Sequence, residues 1–80
     1  MTADLTPAEL KASRRALGLS TERFARWVNV SDGATVRRWE RAAREIPGPV
    51  KVLVRAAMES EEVRRHFGLT LSKEPTASKR

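Results

Sequence analysis

GLSTERFARWVNVSDGATVRRWE, residues 18–40, is the stretch that decides how this chain of 80 residues folds. Ser20 is placed to cap a helix running from Thr21 to about Val28, its hydroxyl accepting an otherwise unpaired backbone amide. Leu19 and Phe24 flank that start as a hydrophobic staple. Asn29 tolerates positive φ and can turn the chain. The next helix starts near Ser31 and Asp32, where the Asp32 carboxylate reaches the amides two or three residues on, and the pattern carries it to about Arg44. Two short helices joined by a turn of about three to four residues form a helix-turn-helix, here over about residues 20–44. Ala25 supplies the small residue needed where the helices cross, and Val36 points back at the first helix. Phe24, Val28 and Val30 close the small core between them, and Trp39 is read as packing. Ala34, Arg37, Arg38 and Arg41 fall on the opposite face of the later helix.

Working outward, Thr6-Pro7-Ala8-Glu9 is a capping box with proline at the first helical position. Leu5 and Leu10 flank it as a staple, and Gly18 supplies the left-handed cap after about Leu17. Beyond the motif, Ile46-Pro47-Gly48-Pro49 breaks the chain, and Pro49 opens a fourth helix. Val50, Leu53, Val54, Ala57 and Met58 make one apolar face of that helix. Ser60-Glu61-Glu62 marks a fifth start, with acids beside the positive end of the helix dipole, and Phe67-Gly68 marks its end. Period-two alternation is missing, so strands are not expected. The reading is an all-α, compact five-helix domain over residues 1–71, followed by a disordered polar tail over residues 72–80.

Charge and composition narrow the function. The net charge is +6, and its excess sits in the middle of the chain. Residues 11–55 carry eleven basic side chains against four acidic ones, a net of +7, whereas residues 56–80 carry a net of +1. A basic excess inside a folded segment points to a polyanion-facing surface. A chain this short buries only about 60% of its unfolded surface, so the core is thin and leaves little room to enclose a sizeable cofactor. The absence of cysteine excludes disulfides, thiolate zinc sites and a cysteine nucleophile. A single histidine, His66, removes paired-histidine metal motifs and sits where a cation meets a helix C-terminus. With no nucleophile paired with a base, no enzymatic activity, cofactor or metal is expected. No apolar run approaches a membrane span of about 18 residues. The first residues lack the basic-then-apolar pattern of a signal peptide. The expected location is therefore cytoplasmic, on the nucleoid, with no membrane partner.

These residues resemble the Xre/Cro-repressor class of helix-turn-helix proteins, the lambda-repressor-like fold, in its small phage-like form. The resemblance covers about residues 6–58. It rests on Leu17-Gly18-Leu19-Ser20, Phe24-Ala25, Val28, Val30-Ser31 and Thr35-Val36-Arg37-Arg38-Trp39-Glu40, with Ile46-Pro47-Gly48-Pro49-Val50 similar to the start of helix four. It implies a dimer on a palindromic operator, with the third helix in the major groove. It implies that Gly33, Ala34 and Arg38 touch bases and that Thr35 and Arg37 lie near the DNA backbone. It also implies a partly buried ion pair between Arg14 and Glu40. The chain departs from the family pattern at three places. It has one extra residue between Val30 and Val36, Thr21 where glutamine is usual, and two base-facing positions filled by the small Gly33 and Ala34. Base discrimination should therefore fall mostly on Arg38, helped by Ala34 against a thymine methyl and by DNA shape.

The expected function is a sequence-specific transcriptional regulator of double-stranded DNA, a dimeric repressor. Thr21, Arg41 and Arg44 join Arg37 and Thr35 as backbone contacts. Phe67, Leu69 and Leu71 either cover the core or form a dimer face, and the dimer is the preferred reading. One rival is a prophage or mobile-element regulator, such as an antitoxin or an anti-CRISPR-associated repressor. Rivals of another class are a protein-interaction module using Trp27 and the Phe67 region, and a charge-driven non-specific nucleic-acid binder.

Overall fold

Four short polar side chains set where helices begin in the computed structural model, which describes residues 5–71. The tail expected over residues 72–80 lies outside the described residues. Thr6 accepts the Glu9 amide while Glu9 accepts the Thr6 amide, closing the capping box of α1 (Pro7–Ala16). Ser20 accepts the Arg23 amide at the start of α2 (Thr21–Trp27). Asp32 accepts the Thr35 amide at the start of α3 (Gly33–Glu40). Ser60 follows α4 (Gly48–Glu59) and caps α5 (Glu61–Phe67) by accepting the Val63 amide. The fold is all-α, with five helices and no strand among the described residues. None of these helices is long and apolar enough to cross a membrane.

The helix ends are equally regular. After α1, α2, α3 and α5 a single residue takes a left-handed conformation, at Gly18, Asn29, Ala42 and Gly68. In each case the next residue's amide reaches back to a carbonyl in the last helical turn: Leu19 to Arg14, Val30 to Ala25, Ala43 to Arg38 and Leu69 to Arg64. These are Schellman ends, which satisfy carbonyls the helix leaves open. They also correct one expected boundary. The pattern predicts α3 to about Arg44, but the helix stops at Glu40, with Arg41 as its cap and Ala42 at φ 62°. The Ala43 amide bonds the Arg38 carbonyl at 2.8 Å, which turns the chain a full helical turn early. Alanine gives no warning of this, because its side chain disfavours positive φ.

The tightest helix–helix contact is between α2 and α3; α1 lies across α3 and α4, and α5 packs on α4. Leu10, Phe24, Val36 and Val54 are fully buried where these helices meet, and Trp39 is 2% exposed. Each such side chain contributes about 1.5–3 kcal/mol when removed from water. The core continues through Leu5, Leu17, Leu19, Ala25, Ile46, Val50 and Ala57. On α4 the predicted apolar face is deepest at Val50, Val54 and Ala57, while Leu53 and Met58 are half-buried at its margins.

Candidate nucleic-acid interface

The α2–turn–α3 unit is locked from the inside. Phe24 and Ala25 of α2 meet Val36 and Trp39 of α3 in the core, while Val28 and Val30 are half-buried against it. Val28 caps α2 and Asp32 caps α3, so residues 29–31 make the turn between the caps. Two of the amides that α3 leaves open at its start have side-chain partners. Asp32 takes the Thr35 amide at 3.1 Å, and the Glu22 carboxylate takes the Gly33 amide at 3.2 Å.

That second bond gives Gly33, expected to touch a base, a packing role at the start of α3. The residue is buried, close against α2. A Cβ at this position would stand 2.5 Å from a Glu22 carboxylate oxygen and 2.9 Å from the Thr21 hydroxyl. Glycine here lets the start of α3 approach α2 closely. Nothing local in the sequence pairs Glu22 with Gly33, since the contact joins residues on separate helices.

Helical periodicity then fixes what faces out. Val36 and Trp39 point inward, so Arg37 and Arg38 stand exposed, with Ala34 half-buried one turn earlier. Arg37 donates through Nη1 to the Thr21 hydroxyl at 3.0 Å, tying the middle of α3 to the start of α2. The Thr21 oxygen accepts in that bond, which leaves its own O–H to donate elsewhere. Thr35 is differently engaged: its hydroxyl donates to Asp32 at 3.1 Å. Its single hydroxyl proton is thus directed into the cap rather than toward a backbone phosphate. Arg41 is exposed at the C-cap of α3. Arg44, also expected to contact the DNA backbone, is exposed beyond the helix, in the segment leading to α4.

Arg14 and Glu40 form a two-pronged ion pair, Nε to Oε2 at 2.7 Å and Nη2 to Oε1 at 3.3 Å. Their side chains are only 12% and 7% exposed. The third nitrogen of Arg14 donates to the Leu19 carbonyl at 2.9 Å. One guanidinium therefore joins α1, the α1–α2 turn and the end of α3. A planar fork matched to a carboxylate suits this task better than an ammonium would.

The unit carries three carboxylates, Glu22, Asp32 and Glu40, and each accepts hydrogen bonds from within the fold. The cations of the same unit, Arg23, Arg26, Arg37 and Arg38, are exposed. Among the described residues no cluster of three or more histidine, cysteine, aspartate or glutamate side chains could hold a metal ion.

The C-terminal apolar residues divide. Leu69 and Leu71 are half-buried against the core, so they cover it rather than standing as an open face. Phe67 is 42% exposed and meets the Trp27 ring edge-on, with centroids 5.7 Å apart. His66 is exposed and lies edge-on to Phe67. Arg64, which the sequence reading passed over, donates to the Ala57 and Met58 carbonyls at 2.8 and 3.0 Å. It thereby closes the end of α4 from the neighbouring helix. Compared with known proteins, the chain matches no family model, no curated protein and no solved structure.

Proposed function

We propose that this chain is a sequence-specific binder of double-stranded DNA that regulates transcription, acting as a dimeric repressor. The observation that carries the reading is the charge arrangement on the α2–turn–α3 unit. Arg37 and Arg38 are exposed on α3, while the carboxylates of the unit are each bound within the fold. An approaching duplex meets two exposed arginines on an eight-residue helix, an element that a major groove can admit.

In this reading Arg38 reads a base, since a guanidinium can bond both the O6 and N7 of guanine. Ala34 offers a methyl group to thymine. Arg37 and Thr21, already bonded to each other, hold a backbone phosphate together, and Arg41 adds charge at the far end of α3. The Arg14–Glu40 pair keeps α3 at a fixed angle to α1, so that base contacts are made by a preset surface. Repression follows from occupancy of a promoter. Phe67, an exposed aromatic residue, is where a second copy would pack.

The test is the salt dependence of duplex binding. For a dimer making about 6–10 phosphate contacts, log affinity against log salt should slope at about −5 to −9. A flat response would reject groove binding. A slope near half that size, with one chain per duplex, would keep DNA binding and remove the dimer.

A further inference from the structure

A cleft of about 350 Å³ opens where α1, the start of α2 and the end of α3 meet. From α1 it is lined by Lys11 and Arg15, and from the other two helices by Thr21, Arg37 and Arg41. The Arg14–Glu40 pair completes the lining. Five cations and one carboxylate thus share the cleft, and that carboxylate has both oxygens bonded to Arg14. Lys11 and Arg15 are exposed, and neither bonds another side chain among the described residues. Arg37 and Arg41 are four residues apart, one turn of helix, and belong both to this cleft and to the outward side of α3.

We infer that this cleft seats one phosphate group of the DNA backbone, and that Lys11 and Arg15 extend the DNA-contacting surface from α3 onto α1. The inference rests on the DNA-binding reading above and adds to it a helix that the motif itself does not include. The chemistry suits a phosphodiester. Guanidinium groups donate in a fixed planar fork, and Lys11 adds a compact charge. The Thr21 hydroxyl, accepting from Arg37, keeps its proton for a phosphate oxygen. A polyanion is favoured over a small anion because the cleft adjoins the exposed arginines of α3. A strand lying along that side passes the mouth of the cleft.

The experiment compares the wild-type chain with Lys11→Ala/Arg15→Ala by fluorescence anisotropy on a selected duplex and on an unrelated duplex, each across a salt series. Melting of the double variant should match wild type, because the two side chains are exposed. The inference predicts about tenfold weaker binding to both duplexes alike, with the salt slope reduced by about one for each bound chain. Unchanged affinity and slope, with wild-type binding intact, would overturn the inference and leave the DNA-binding reading standing. Wild-type chain that binds neither duplex would overturn both. A parallel titration with inorganic phosphate, read by chemical shifts of the arginine side chains, separates the sources of phosphate. Tight free-phosphate binding with duplex affinity unaffected by the double substitution would make the cleft a small-anion site and also overturn the inference.

Discussion

The two ends of this small domain are held by different kinds of contact. From α1 to α3 the bonds join residues far apart in sequence: Arg14 to Glu40, Glu22 to Gly33, and Thr21 to Arg37. Phe24, Val36 and Trp39 are sealed between those helices. From α4 to α5 two ion pairs are local, Arg55 with Glu59 and Glu61 with Arg65, each spanning one helical turn and well exposed. No residue of α5 is fully buried. The seam between α2 and α5 relies on the edges of Trp27 and Phe67, and the indole N–H of Trp27 is buried there without a partner among the described residues. An unmatched donor of this kind costs about 1–3 kcal/mol. Side-chain bonds between residues distant in sequence are thus concentrated where the arginines are displayed. The C-terminal part closes the core and leaves apolar surface open at Phe67.

Substitutions can break or sharpen that contrast. The largest effect is expected from Glu40→Ala, which strands a guanidinium that is 12% exposed. A partner lost from such a pair costs about 3 kcal/mol, and in a domain of this size that lowers Tm by roughly 15 °C. Thermal melting that leaves Tm unchanged would show that the pair does not hold α1 to α3. In the C-terminal part, Arg64→Ala should cost about 1–2 kcal/mol, because the Ala57 and Met58 carbonyls lose their donor. Urea unfolding measures it, and a loss as large as that of Glu40→Ala would erase the proposed difference between the two ends. The smallest effect lies between them. Ala42→Gly relieves a side chain at φ 62° and should stabilise by about 0.5–1 kcal/mol. Any destabilisation in the same unfolding measurement would mean that the turn after α3 is not strained.

Much of the fold could be read from the sequence because caps are local chemistry. Thr6, Ser20, Asp32 and Ser60 each bond the amide three residues on, as their positions before helical patterns imply. Gly18, Asn29 and Gly68 announce helix ends for the same reason. Ala42 does not announce one, and α3 is a turn shorter than its pattern suggests. At the candidate interface, helical spacing was enough to set Val36 and Trp39 inward and Arg37 and Arg38 outward. It could not separate Gly33 as a packing residue from Gly33 as a groove-facing one. That distinction depends on Glu22, eleven residues away on another helix. The cleft at Lys11 and Arg15 was hidden for a similar reason: it exists only where three helices converge.

In the proposed function Arg38, exposed on α3, reads the DNA sequence. A selection from randomised duplexes, run in parallel on wild type and Arg38→Ala, tests it most directly. The account predicts that wild type enriches a motif with two half-sites about one helical turn apart. Arg38→Ala should still bind but lose preference at one position in each half-site, a discrimination of about 1–3 kcal/mol. An Arg38→Ala variant that enriches the same motif with uniformly weaker binding would contradict the claim, as would a wild-type chain that enriches no motif at all.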